Sequence, residues 1–172
     1  LSKEDLHNQI QAVEALLTDA QNDMRVLLLH LRPTELENKT LQEGLQMILK
    51  ELTDKSNIRV VYKDMVKKVP KRIEDNLFRI AQEFISNTLK HAKASQIEVY
   101  LYQNSQEIQL KMLDNGVGFD LNASTDEMSY GLKNIQERVD EMAGTVQFLS
   151  AKGKGTSIDV RVPILRGEDN VE

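Results

Sequence analysis

The sequence predicts a two-layer α/β sandwich, with helices on one side of a mostly antiparallel sheet and the other sheet face wet, preceded by one long helix. Three observations predict it. Ile97, Val99 and Leu101, and then Ile108, Leu110 and Met112, alternate with polar residues, so each run is a strand with one apolar face. Ile73, Leu77, Ile80, Ala81, Phe84, Ile85 and Thr88 follow the 3.6-residue period over Lys71 to Ala92, a helix suited to cover such a face. Leu6, Ile10, Val13, Leu17, Ala20, Met24, Leu27 and Leu31 are spaced alternately four and three apart, the seam of a helix that packs along another helix.

The elements follow in chain order. The first seam runs for about 25 residues, roughly 38 Å of helix at 1.5 Å per residue, and Pro33 is expected to stop it. A stripe this long calls for a partner helix, so it reads as half of a helical hairpin that dimerises as a four-helix bundle; the alternative is a helix folded back on its own domain. Thr40 to Lys55 is a second helix with Leu41, Leu45, Ile48, Leu49 and Leu52 on one side, leading through Ser56-Asn57 into a strand, Ile58 to Tyr62. Asn104-Ser105 is the turn of a hairpin between the two alternating strands. Asp114 to Tyr130 is expected to be a long loop, followed by a helix over Leu132, Ile135, Val139 and Met142 capped by Gly144. Val146 to Leu149 and Ile158 to Val162 are two more strands, ended by Pro163. The expected organisation is thus 1–33, second helix of a dimerisation bundle; 34–57, connecting helix; 58–165, main domain; and 166–172, polar tail.

Composition narrows the function. The chain has 172 residues, 40% of them hydrophobic, enough for one full core and a smaller element beside it. A net charge of -5 opposes a phosphate backbone, which argues against nucleic acid as a partner. There is no cysteine, so disulfides and thiolate metal sites are excluded and a reducing, cytoplasmic setting is expected. No apolar run approaches the roughly 18 to 20 residues that span a bilayer. The chain opens at Leu1 already inside a helical pattern, as a piece cut from a longer protein would.

Three separated features carry chemistry. Glu83, Asn87 and His91 lie at i, i+4 and i+8 of the core helix, on one strip beside its apolar face. An amide oxygen there is a hard, neutral donor suited to Mg²⁺; read blandly, Asn87 is a solvated residue and His91 meets the helix C-terminal dipole. Asp114-Asn115-Gly116-Val117-Gly118-Phe119 follows directly on a strand, with glycines that let backbone approach a flat ligand and a carboxylate able to accept from an exocyclic amine. Gly153-Lys154-Gly155-Thr156 joins two strands and frees backbone N–H groups for phosphate, with the Thr156 hydroxyl beside them. Each glycine motif could equally be an ordinary turn. Between them Phe119 to Tyr130, bounded by Gly118 and Gly131 with Asn122 to Glu127 inside, suits a lid that closes over a ligand.

The order of these features is more specific than any one of them. Glu83-Phe84-Ile85-Ser86-Asn87 with Lys90-His91-Ala92, then Asp114 to Phe119, then Tyr130-Gly131-Leu132 and Gly153 to Thr156, resembles the ATP-binding boxes of sensor histidine kinases, within the wider group of gyrase, Hsp90, histidine kinase and MutL ATPases. Leu6 to Pro33, ending in Leu29-His30-Leu31-Arg32-Pro33, is similar to the second dimerisation helix of the NarX, DesK and VraS/LiaS class, and the wording is nearest the Gram-positive cell-envelope stress sensors of the VraS/LiaS kind.

The resemblance implies a histidine-kinase/Hsp90-type fold that binds ATP and Mg²⁺, phosphorylates a histidine and passes the group to a response-regulator aspartate. It implies that Asn87 ligates Mg²⁺, that Glu83 acts as a polarising or basic group, and that Lys90 and His91 lie near the phosphates. Asp114 would accept from the adenine amine, Gly116 and Gly118 would shape the loop beneath it, and Gly131, Leu132, Gly153, Gly155 and Thr156 would complete the pocket. It also implies a regulator of the NarL/LuxR type, a homodimer through the N-terminal helix, and membrane attachment through segments outside this chain.

One departure stands out. The class places a phosphoacceptor histidine before an acidic residue on an upstream helix, whereas His7 is followed by Asn8 and His30 by Leu31. The acceptor is therefore expected outside this chain, which alone should bind ATP without autophosphorylating. The basic cluster Lys63, Lys67, Lys68, Lys71 and Arg72 reads as a solvated loop. Two other readings use the same pocket: a serine kinase of the anti-sigma-factor type, which needs no bundle helix, and a non-catalytic ATP-gated module.

Overall fold

The computed structural model describes residues 2–30, 39–121 and 126–164. The stop at Pro33, most of the expected boundary from Pro33 to Thr40, the polar centre of the expected lid at 122–125 and the tail all lie outside the described residues.

Helix α1 spans Lys3–His30 and α2 Leu41–Lys55, followed by β1 Arg59–Met65 and α3 Lys71–Asn87. The last continues into a π-helical turn at Thr88–Ala92, then come β2 Gln96–Gln103, β3 Glu107–Asp114, α4 Asp126–Glu141, β4 Thr145–Ser150 and β5 Thr156–Pro163. The five strands form one sheet in the order β1-β2-β3-β5-β4, with β1 and β2 parallel and all other pairs antiparallel. Expected alternation sets the faces: Ile97, Val99, Leu101, Ile108, Leu110, Met112, Ile158, Val160 and Val162 are buried under the helices. The opposite face is polar, tied by Gln109 to Asp159 at 2.8 Å and by Arg161 to Glu107 and Asp159.

Local chemistry fixes the helices. Thr40 and Glu43 form a reciprocal capping box at the start of α2, and the buried Glu74 carboxylate of α3 accepts from the Leu41 N–H at 3.0 Å. Gly44 brings α2 onto α3, since a Cβ there would stand 3.0 Å from the Phe78 ring. Leu77, Ile80, Ala81, Phe84 and Ile85 make α3 the centre of the core.

Four expectations change. The core helix does not run as α-helix to Ala92; its last turn is π-helical and Lys93 ends it with φ 48°. Helix α4 begins at Asp126, so the end of the expected loop and Gly131 are helical, and Gly131 is no lid hinge. The left-handed residue closing α4 is Ala143, with φ 52°, and the Gly144 N–H reaches back to the Val139 carbonyl in a Schellman arrangement. Gly144 is needed for space, because a Cβ would lie 2.6 Å from the Arg161 carbonyl oxygen. The basic cluster is not one loop either: Lys63 lies within β1, Lys71 pairs with Glu74 and Asp75, and Arg72 donates to the Glu141 carbonyl.

Candidate functional site

A cleft opens between α3 with its π-turn, α4, and the ends of β3 and β5. It is lined by Phe84, Asn87, Thr88, His91, Ala92, Asp114, Val117, Gly118, Phe119, Leu132, Ile135, Thr156 and Ile158, and encloses about 600 Å³ including space open to solvent. Most of this lining is apolar, and among the described residues its one carboxylate is Asp114, 8% exposed. A mostly apolar slot with a buried carboxylate acceptor suits a heteroaromatic ring that offers an N–H.

The Asp114 carboxylate is held from three sides. Its Oδ1 accepts from the Gly116 N–H at 2.8 Å, its Oδ2 lies 3.4 Å from the Thr88 hydroxyl, and the backbone of Thr156, its partner across the sheet, adds a further bond. Burial pushes its pKa above the usual carboxylate range, and these three bonds pull the other way. Desolvation is the larger effect, so the group gains from a donor arriving in the cleft.

The glycines hold this wall in place by close approach. A Cβ on Gly116 would stand 2.2 Å from the Ala92 carbonyl oxygen, and one on Gly155 2.0 Å from that of Asp114. Gly118, at φ 57°, has the Ala151 oxygen 2.1 Å from its Cβ position. Around Gly153 there is open space, and its φ of 74° alone favours glycine.

Asn87 lies at the other end. A Cβ on Gly131 would meet Glu83 Oε1 at 2.5 Å and Asn87 Nδ2 at 3.1 Å, so α4 crosses α3 directly over this pair. Glu83 is thus beside Asn87 but outside the cleft lining, and Lys90 is exposed and also outside it. His91 lines the cleft, and its Nε2 is buried without a hydrogen-bond partner among the described residues. With its proton on Nε2, the ring would donate to an anionic oxygen at that point. The amide oxygen of Asn87, which lines the cleft, is a hard donor of the kind Mg²⁺ takes, usually one or two from protein with phosphate and water completing the shell, so this residue fits the ion.

Sequence reasoning missed Thr88 and the apolar wall of Ile135 and Ile158. Thr88 reads as a core position of the helix; only the π-turn and the partner strand bring its hydroxyl to Asp114.

A carboxylate at a strand end, glycine turns packed on it and a helix bearing amide and imidazole across an apolar slot define a nucleotide-binding α/β sandwich. Residues 72–166 match the family described as histidine kinase-, DNA gyrase B-, and HSP90-like ATPase, and the chain belongs to that family. It is 41% identical over 170 residues to the sensor protein VraS of Staphylococcus saprophyticus, covering 99% of this chain and 49% of that protein. It is 43% identical over 160 residues to the sensor histidine kinase LiaS of Bacillus subtilis, covering 93% of this chain and 44% of that protein. The chain therefore spans about half the length of these relatives. Among solved structures, the blue-light activated histidine kinase EL346 of Erythrobacter litoralis superposes with a TM-score of 0.60 at 14% identity, over 94% of this chain and 59% of that one. The mycobacterial sensor histidine kinase MprB gives 0.54 at 17% identity, over 73% of this chain and 96% of that one, and both likenesses speak to the fold alone.

Proposed function

We propose that this chain is the catalytic portion of a two-component sensor histidine kinase that holds Mg-ATP to phosphorylate a histidine for relay to a response-regulator aspartate, in cell-envelope stress signalling. The observation that carries the proposal is that Asn87, His91, Asp114 and Thr156, read from three separate motifs, line one cleft. The likeness at 43% identity to a protein named sensor histidine kinase, LiaS, favours this over a serine kinase or an ATP-gated module.

In this reading Asp114 accepts from the adenine amine, and Gly116, Gly118 and Gly155 keep the backbone close beneath the ring. Asn87 holds Mg²⁺, which when bound would neutralise phosphate charge, and Glu83 beside it polarises the attacking group or takes its proton. His91 and Lys90 meet the phosphates, while Gly131 and Leu132 close the slot from α4 and Gly153 frees an adjacent amide. Phosphoryl transfer asks a protein mainly for positioning and charge neutralisation, and these groups supply both. The accepting histidine is none of His7, His30 or His91. The 28-residue helix α1 pairs with a helix outside this chain to form a dimer, the regulator is of the NarL/LuxR type, and other segments attach the whole protein to the membrane.

Asp114→Asn tests the site. Calorimetry should show ATP affinity reduced roughly 10- to 100-fold, the range for losing a hydrogen bond to a charged group. The melting temperature should hold or rise, because a desolvated charge is removed; unchanged affinity would refute the assignment. Joining an upstream helix with an acceptor histidine and finding no acid-labile phosphate after incubation with Mg-ATP would refute the kinase reading.

A further inference from the structure

Ser150, the last residue of β4, stands behind the cleft wall, and its hydroxyl makes three contacts. The Phe119 N–H lies 2.9 Å from it, the Gly155 carbonyl 3.1 Å and the Thr156 hydroxyl 3.1 Å. One assignment of protons satisfies all three contacts at once. An amide N–H can only donate, so Ser150 accepts from Phe119. A carbonyl can only accept, so Ser150 gives its one proton to Gly155. With that proton engaged, the contact with Thr156 exists only if Thr156 is the donor.

The consequence falls on the cleft. Thr156 is paired with Asp114 across the sheet and lines the same slot. Its proton is turned back toward Ser150, so what its oxygen offers the slot is lone pairs. Thr156 and Asp114 then present acceptors side by side, a pattern that welcomes an amino group and repels a ring carbonyl.

We propose that Ser150 is a specificity-determining positioning residue: by fixing the Thr156 hydroxyl as an acceptor, it makes the site choose a 6-amino purine over a 6-oxo purine. Ser150 never touches the ligand. This inference rests on the reading of the cleft as an adenine-nucleotide site. If the bond to Ser150 is lost, the Thr156 hydroxyl can rotate and donate to a carbonyl, and the choice weakens.

The experiment measures dissociation constants of ATP and inosine triphosphate by calorimetry for the 172-residue chain and its variants. Wild type should prefer ATP, and Ser150→Ala should shrink that preference roughly three- to tenfold, the span of one neutral hydrogen bond. Ser150→Thr, which keeps the hydroxyl, should restore it. Weakening of both ligands by the same factor in Ser150→Ala would mark a merely structural role and overturn the proposal. Thr156→Val serves if Ser150→Ala does not fold: it should shrink the preference too, and an unchanged ratio there would equally overturn it. Wild type that binds both nucleotides alike overturns this inference alone, whereas wild type that binds neither overturns the adenine-site reading beneath it.

Discussion

Helices α1 and α3 are both long and amphipathic, yet they end differently. The apolar stripe of α3 is consumed by the sheet, α2 and α4, with Leu77, Ile80, Ala81 and Ile85 fully buried. The stripe of α1 faces water: Leu6, Ile10, Val13, Leu17, Met24 and Leu27 are between 49% and 64% exposed. Among the described side chains, helix α1 meets the rest of the molecule through polar residues instead. Asn22 donates to the Leu89 carbonyl of the π-turn at 3.4 Å, and Thr18, Gln21 and Asn22 face Ser56, Asn57 and Lys93 across a wide groove. A period of 3.6 announces an apolar face but not what covers it. A polar contact on one side and an uncovered apolar stripe on the other suit a helix whose partner is another helix.

The sharpest way to break this contrast is to substitute one leucine in each helix. Leu77→Ala leaves a cavity at the centre of the core and should lower unfolding free energy by about 2–5 kcal/mol, measured by denaturant titration. Leu17→Glu, on the stripe of α1, should change the melting of the sandwich by no more than about 0.5 kcal/mol. It should abolish self-association by sedimentation. A Leu17→Glu chain that unfolds like Leu77→Ala would mean that α1 packs on its own domain after all.

Legibility in the sequence follows the same division between local and long-range causes. Alternation in Ile97 to Leu101 and Ile108 to Met112 marks the β2–β3 hairpin because burial on one face is a local pattern, and Asp114-x-Gly-x-Gly is legible because each residue meets its own backbone constraint. The π-turn is not legible. Thr-Leu-Lys-His-Ala has ordinary helix propensity, and what settles it is packing of Gly116 on the Ala92 carbonyl and the left-handed Lys93. The start of α4 at Asp126 is hidden for a related reason, since its first turn lacks the apolar period that reveals Leu132, Ile135 and Val139. Ser150 and Thr88 carry no motif at all; each acts through a strand or helix distant in sequence.

Among the described residues two carboxylates are buried, in opposite kinds of surrounding. Glu74 is engaged by the Leu41 N–H and Lys71, a structural task, whereas Asp114 faces a cleft with its pKa raised above the ordinary 3.8 by burial. A carboxyl whose folded pKa is raised contributes stability that is fully present below the unfolded value and lost as pH rises through the folded one. Ligand binding runs the other way, because a protonated Asp114 is a poorer acceptor for an amine. Between pH 3.8 and the raised value, acidification should therefore weaken ATP binding while relieving the cost of the buried charge. Subtracting the pH profile of Asp114→Asn isolates both effects from the other carboxylates. The difference in melting temperature between wild type and Asp114→Asn should narrow as pH falls through this window, by an amount smaller than the effect of Leu77→Ala. A difference that widens on acidification would mean that Asp114 is held ionised by its three hydrogen bonds, and that the cleft end is more polar than its lining suggests.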